Sequence, residues 1–548
     1  MHYFNSLHTM LLNEFKGYNT KKFSKDVLAG ITVAAVALPL ALAFGVGSGA
    51  SAAAGLVTAI VAGIIIGALS GASFQISGPT GAMTVILLSL VSHYGLKSMF
   101  LACILSGILL ILAGLFKLGD LVSFIPLPVI TGFTSGIAII IALGQINNLT
   151  GFVSEGNETI ERFISYFKNA QVLDLGALIT GGMVMLFMIL YPKKWSSALP
   201  SSLAAIVLAT TATSLMRLPI QTVGDIPRTL FLSERFTISD ISFSRISELL
   251  VPAVSIAALG MIESLLCGTS AGRMKGEKFN ASVELIAQGI GNLALPFFGG
   301  VPATAAIART SVAVKAGGQT RLTSIIHSAV LLLSMLALGG VMSKIPLSAL
   351  AGVLIITAWR MNEWHVIRNI FTNRHKSAIA KFLVTMACTV AFDLTIAIVI
   401  GVIFSVLTFV VKISQIQVTV SELIPEKLEE NTIKNPQNTV VLYITGPLYF
   451  GSARRLEDCL LTLHDKERII FSMRGVPLAD LSAVQALFAL CKELMDKGVH
   501  IYFTCLQSTV EDMLKKCGLM QLVGENSFYW STDQAIKEIA EADAMSTV

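Results

Sequence analysis

Arg309 is a lone cation in an apolar stretch broken by two glycines and a proline, Phe297-Phe298-Gly299-Gly300-Val301-Pro302-Ala303-Thr304-Ala305-Ala306-Ile307-Ala308-Arg309-Thr310. A cation in hydrocarbon costs at least ~2.5 kcal/mol unless it faces a polar cavity, so it points to nearby negative charge. A continuous spanning helix has no use for the punctuation before it. A half-helix that starts inside the bilayer does, because its first backbone N–H groups point, unpaired, at whatever lies before them. A second stretch of the same kind, Ser77-Gly78-Pro79-Thr80-Gly81-Ala82-Met83-Thr84, lies early in the chain. Paired interruptions at corresponding places in two halves are the sequence mark of a secondary transporter's binding site.

Two half-helix starts facing each other put two positive dipole ends, about half a charge each, on one small cavity. Free N–H groups around Thr80, Gly81 and Ala82, and around Ala303, Thr304 and Ala305, can then replace an anion's water. Pro79 and Pro302 suit first helical positions, where the missing N–H would be unpaired anyway. The plainer alternative is that the Gly-Pro pairs are ordinary turns between spans; their duplicated position argues against it. Arg309, placed about two turns into the second half-helix, would add positive potential. Its alternative is a snorkelling or paired arginine at the cytoplasmic end. Gln75 and Thr80 offer an amide and a hydroxyl to an oxyanion, and the Phe44 ring can shape the pocket. For Phe44, core packing explains the residue as well.

Glu263 is the acid deep in the eighth apolar segment. A carboxylate beside an anion site repels the substrate, so it makes sense as the holder of a co-transported cation, Na⁺ or H⁺. Thr304, Ser264 and Cys267 are candidates to complete that shell. Hard Na⁺ prefers oxygen ligands to a thiol, so Cys267 fits least. A salt bridge from Glu263 to Arg309, with no ion, is the competing explanation. No acid lies between Val27 and Gly49, which removes a proton carrier from the first segment and tilts the expectation towards Na⁺.

The elements that must position these residues are membrane helices. Of 548 residues, 54% are hydrophobic and 13% charged, against about a quarter charged in soluble domains. The net charge of +5 does not indicate nucleic acid, because the basic residues fall in short loops between apolar runs, as the positive-inside rule requires. Fourteen apolar segments are expected: Val27–Val46, Ala52–Ser70, Pro79–Tyr94, Met99–Phe116, Pro128–Asn147, Leu173–Tyr191 and Ser201–Arg217, then Leu249–Cys267, Val283–Phe297, Pro302–Lys315, Leu322–Met342, Pro346–Ala358, Ala378–Ala391 and Thr395–Lys412. The two broken segments stand third in two sets of seven. Seven is odd, so the second set enters from the opposite side, a 7+7 inverted repeat. The expected divisions are an N-terminal cytoplasmic segment 1–26, a transporter domain 27–413 (repeats about 27–217 and 249–413), a linker 414–436 and a soluble domain 437–548. Glu422, Pro425, Glu426, Glu429 and Glu430 make the linker acidic. The last domain alternates strand and helix (Thr439–Thr445, Arg454–Leu463, Arg468–Met473, Ser482–Asp496, Val499–Thr504, Thr509–Cys517), a small cytoplasmic α/β unit with no phosphate loop. The seven cysteines show no metal-ligand spacing and read as reduced.

Asp26-Val27-Leu28-Ala29-Gly30-Ile31-Thr32, Pro39-Leu40-Ala41-Leu42-Ala43-Phe44, Gln75–Ala82 and Gly300–Thr310 resemble the SulP anion-transporter family, which includes sulfate and bicarbonate permeases and prestin-like exchangers. Gly475-Val476-Pro477-Leu478-Ala479-Asp480-Leu481-Ser482-Ala483 resembles the signature loop of a STAS domain. The resemblance covers nearly the whole chain. It implies a core domain (segments one to four and eight to eleven) moving against a gate domain (the rest) in a homodimer, and a basic residue at the place of Arg309. It also makes Ser482 a candidate phosphorylation site, with a simple N-cap as the alternative reading. The expectation is therefore a non-enzymatic, multi-pass inner-membrane transporter with both termini cytoplasmic and no cofactor beyond the coupling ion. Its substrate is expected to be bicarbonate with Na⁺, then sulfate with Na⁺ or H⁺, then a C4-dicarboxylate. The rivals are a passive anion channel, a purine or uracil permease, and a sensor that binds a cytoplasmic regulatory protein through the STAS domain.

Overall fold

The computed structural model describes residues 2–119, 125–152, 164–166, 173–192, 194–195, 199–240, 243–392, 394–413, 416–423, 433, 436–460, 463 and 465–545. The chain divides into two compact units, Met1–Ile403 and Phe404–Val548. In the first, α1 (His2–Phe15), α2 (Thr20–Gly47) and α3 (Ala52–Leu69) precede β1 (Ser77–Gly78) and the half-helix α4 (Gly81–Tyr94). Then come α5 (Leu96–Leu115), α6 (Leu127–Gly144), α7 (Ile146–Thr150), α8 (Leu175–Leu190) and α9 (Ser201–Met216). The second half repeats the pattern with α10 (Phe243–Lys275), α11 (Ala281–Phe298), β2 (Thr304–Ala305), the half-helix α12 (Ile307–Lys315), α13 (Leu322–Met342), α14 (Leu347–Met361), α15 (Trp364–Thr372), α16 (Lys376–Ala391) and α17 (Leu394–Ile413).

A helix lies within or across each expected apolar segment. By length and composition, seven helical stretches among the described residues can cross a membrane, and five shorter apolar ones accompany them. Several edges differ from the hydropathy reading. α2 starts at Thr20, where the Asn19 side chain accepts the Lys22 N–H and caps the first turn. Asp26 is thereby drawn inside it, and its carboxylate takes hydrogen bonds from the Gln319 (2.5 Å) and Thr320 (3.1 Å) N–H groups and from the Thr320, Thr323 and Tyr18 hydroxyls. The N-terminal residues are likewise docked rather than a plain leader. Glu14 pairs with the buried Arg321 at 2.9 Å, and Arg321 donates to the Ala68 carbonyl. The helices cross closely where glycines face each other, as small residues allow in membranes. A Cβ on Gly107 of α5 would sit 2.8 Å from the Gly289 carbonyl of α11.

The second unit carries a five-stranded sheet in the order β3 (Gln417–Glu422), β4 (Thr439–Thr445), β5 (Arg468–Gly475), β6 (His500–Thr504), β7 (Phe528–Tyr529). β3 is antiparallel to β4, and the remaining pairs are parallel. Helices α18 (Ala453–Leu460), α19 (Leu481–Asp496), α20 (Ser508–Lys516), α21 (Leu519–Val523) and α22 (Thr532–Met545) accompany it. The expected linker is corrected in part: Glu422 closes β3 and pairs with Lys466 at 2.8 Å. Pro425, Glu426, Glu429 and Glu430 lie outside the described residues. β3 was hidden because Gln417-Val418-Thr419-Val420-Ser421-Glu422 is an exposed edge strand with no apolar run.

Candidate functional site

The two interrupted stretches meet. β1 and β2 pair antiparallel, Ser77 opposite Ala305 and Gly78 opposite Thr304, so the chain ahead of one half-helix is hydrogen-bonded to the chain ahead of the other. Two-residue strands cannot hold themselves together. A polar stripe on α11, Glu284-Gln288-Asn292, holds them at i, i+4, i+8 spacing. Glu284 accepts from the Ser70 hydroxyl (2.5 Å) and the Gly71 N–H (2.9 Å). Gln288 donates to Glu284 and to the Ser77 hydroxyl (2.9 Å). Asn292 accepts from the Ala303 N–H (2.8 Å) and donates to the Ala303 carbonyl (2.9 Å). On α3, Thr58 accepts from the Val301 N–H at 2.7 Å and donates to the Val301 carbonyl. The sequence reading missed this stripe, although three polar residues every fourth position in an apolar span were a readable signal.

At the first start, Thr80 caps α4. Its hydroxyl donates to Glu263 Oε2 at 2.8 Å and receives the Met83 N–H at 3.4 Å. The N–H groups of Gly81 and Ala82 have no protein acceptor among the described residues. Pro79 lies before the cap rather than in the first helical position, a correction to the expectation. Phe44 is buried next to this turn, its Cε1 3.2 Å from where a Gly81 Cβ would stand. Gln75 donates to the Ser264 carbonyl at 2.7 Å, while its own Oε1 is buried without a partner. The amide thus braces α10 with one end and offers an acceptor with the other.

The second start differs from the expectation in three ways. α12 begins at Ile307, not Pro302, because the stretch ahead of it is held at Val301, Ala303 and Ala305 by Thr58, Asn292 and Ser264. The N–H groups of Ala303 and Ala305 are therefore taken, the latter by Ser264 Oγ at 3.3 Å, and are not available to an anion. Among the described residues, the backbone N–H groups of Ile307, Ala308 and Arg309 have no protein acceptor, and the side chains of Ile307 and Ala308 are exposed. Arg309 is the third residue of α12, not two turns along it. It is 1% exposed, and its Nη2 donates to the Pro79 carbonyl at 2.6 Å while Nη1 has no partner. A Cβ on Gly78 would stand 2.7 Å from Nη1, so glycine is what lets the guanidinium in. Arg309 fastens the first start from the second and contributes its charge from behind it.

Glu263 is half-buried and held by Thr80; among the described residues no ion pair joins it to Arg309. The Ser264 and Thr304 hydroxyls lie 2.9 Å apart, and Thr304 also donates to the Gly260 carbonyl. Cys267 donates its thiol to Thr310 Oγ1 at 3.3 Å, one helical turn away from Glu263, and takes no part in the Thr80–Glu263 contact. In the second unit Ser482 is exposed in the first turn of α19, but the N-cap is Asp480, which accepts from the Ala483 N–H at 2.7 Å. The reading of Ser482 as the cap is corrected accordingly.

The sulfate permease family model matches residues 23–385, and the STAS domain model residues 431–535. The putative sulfate transporter YvdB of Bacillus subtilis is 34% identical over 95% of this chain and 98% of its own. The bicarbonate transporter BicA of Picosynechococcus is 28% identical over 93% and 94%. Among solved structures, the transmembrane domain of a cyanobacterial BicA superposes with a TM-score of 0.64 at 28% identity, covering 71% of this chain and 98% of that one. Murine solute carrier 26 family member A9 superposes at 0.84 with 18% identity over 97% and 93%, a likeness of fold. With paired half-helices in its membrane part and a STAS domain behind it, this chain is a multi-pass anion transporter of the sulfate permease family.

Proposed function

We propose that the chain imports a small oxyanion, bicarbonate first, by symport with Na⁺, the core moving against the gate in an elevator-like cycle. The observation that carries this reading is the 2.8 Å hydrogen bond from Thr80 to Glu263. It ties a carboxylate to the cap of a helix start whose Gly81 and Ala82 N–H groups face no protein acceptor. Alone, ionised Glu263 offsets the positive helix end and repels an anion. A Na⁺ at Glu263, completed by hydroxyl or carbonyl oxygens from Ser264, Thr304 and Gly260, cancels that charge and returns the N–H groups of both helix starts to the anion. Each ion then raises the affinity for the other, as linkage requires. Half-helix starts for the anion and freed carbonyls for the cation are the arrangement transporters of this kind use.

Sulfate with Na⁺ or H⁺ is the second reading, supported by the printed name of the relative YvdB. In this reading the protein is an inner-membrane homodimer with both termini cytoplasmic, and Ser482 is a phosphorylation site. A phosphate there would sit on a helix N-terminus, where its charge is favoured. The test is uptake of labelled bicarbonate into proteoliposomes with and without an inward Na⁺ gradient, sulfate as competitor. Na⁺-stimulated bicarbonate uptake supports the proposal; sulfate uptake without bicarbonate uptake contradicts its substrate.

A further inference from the structure

We infer that α15 and the turn after it form a binding site for the headgroups of anionic phospholipids. Between Trp359 and Lys381 the sequence holds five basic residues, Arg360, Arg368, Arg374, Lys376 and Lys381, and a single acid, Glu363. Arg360 is committed to protein, donating to the Met188 carbonyl at 2.8 Å. Arg368, Arg374 and Lys376 are exposed and make no ion pair among the described residues. Some other cations of the same unit do find carboxylates: Lys97 takes Asp240, Lys275 takes Glu277 and Arg321 takes Glu14. The charge around α15 is left for something outside the chain.

The orientation of the helix agrees. Ile370 is buried and anchors one face, while Phe371, 41% exposed, meets Phe382 of α16 edge-on at 5.7 Å. Trp364, His365, Arg368, Asn369 and Thr372 make the opposite, exposed stripe. Beside it Trp359 and Trp364 lie with ring centroids 4.4 Å apart, 62% and 45% exposed, and the Trp364 indole donates to the Trp359 carbonyl. Paired, exposed indoles belong at the headgroup level of a bilayer. Arg374 ends α15 in the left-handed conformation, φ 50°, with the Arg374 and His375 N–H groups returning to the Phe371 and Ile370 carbonyls. Glycine occupies that position at no cost, and a residue with a Cβ is strained there. An arginine there presents a guanidinium at the helix end, close in sequence to Lys376, with the indoles at the other end of the helix. Trp rings at the interface with a cluster of unpaired cations match an anionic headgroup, and each such charge near an anionic surface is worth about fivefold in binding.

The side of the membrane rests on the topology proposed above, but the test does not. Trp195 and Trp530 are replaced by phenylalanine, leaving Trp359 and Trp364 as the emitters. Fluorescence is titrated with brominated phosphatidylglycerol and with brominated phosphatidylcholine in mixed vesicles. The expected result is quenching several-fold more effective per molecule of the anionic lipid. That preference falls to near one in Arg368→Gln/Arg374→Gln/Lys376→Gln, and it is retained in Arg368→Lys/Arg374→Lys, which keeps the charge. Equal quenching by the two lipids in the parent protein, or a preference unchanged by removal of the three charges, overturns the inference. In the second case the cations serve another surface of the protein. Because the readout is lipid quenching, its failure leaves the transport reading untouched, and loss of Na⁺-driven uptake leaves this one untouched.

Discussion

The two half-helix starts hold the same place in two repeats, yet they are wired oppositely. α4 starts inside the protein with a side-chain cap, Thr80, whose hydroxyl is shared with Glu263. α12 starts with no side-chain cap at Ala306, and its first residues, Ile307 and Ala308, are exposed. The chain ahead of α12 is pinned by Thr58, Asn292 and Ser264, whereas the chain ahead of α4 is pinned by Gln288, by Thr310 Oγ1 at the Ile76 N–H and by Arg309 reaching across from α12. The difference teaches a division of labour. In the proposed cycle the first start, through Thr80, holds the carboxylate that would couple a cation, while both starts offer open N–H donors and the second adds the arginine that holds the first in place.

Removing that arginine breaks the division most severely. Arg309→Gln leaves the Pro79 carbonyl and the Glu263 side of the site without their fixed cation. A hydrogen bond from a charged group contributes about 1.5–3 kcal/mol, so anion uptake is expected to fall between about tenfold and a hundredfold. A smaller pair of effects sharpens the contrast. Thr80→Val removes the hydroxyl that meets Glu263, and hydrogen bonds to charged groups contribute about 1.5–3 kcal/mol. The Na⁺ concentration for half-maximal uptake is expected to shift about tenfold or more, in a direction the measurement reads as weakened coupling. Asn292→Ala frees the buried Ala303 N–H, a cost of about 1–3 kcal/mol. It is expected to lower the thermal midpoint while moving Na⁺ half-saturation less than twofold, because Asn292 holds the frame and touches neither ion's place. If Asn292→Ala changed Na⁺ affinity as much as Thr80→Val does, the two starts would not be separable in this way.

What could be read from the sequence was what local chemistry dictates. Glycine and proline inside apolar runs mark both broken helices, and Glu263, Thr80, Ser264 and Thr304 stand out as polar residues in or beside apolar segments. Their convergence depends on β1 pairing with β2 across more than two hundred residues, which no local pattern encodes. The start of α12 was misplaced because Pro302 suggested a first helical turn, while Asn292 and Thr58 hold that stretch from distant helices. Arg309 stands out in the sequence as a lone cation, but its burial against Pro79 depends on the fold. Glu284, Gln288 and Asn292 were overlooked because each, taken alone, is one polar residue in a hydrophobic span; only their common spacing of four marks a functional face.

The measurement that bears most directly on this account is Na⁺-stimulated uptake of labelled bicarbonate by Glu263→Gln in proteoliposomes, alongside the parent protein. The amide keeps the size of the side chain and can still accept from Thr80, but it carries no charge to attract a cation. The account predicts that an inward Na⁺ gradient accelerates uptake by the parent protein and leaves the variant at its Na⁺-free rate. Equal stimulation of both proteins would place the coupling elsewhere and contradict it.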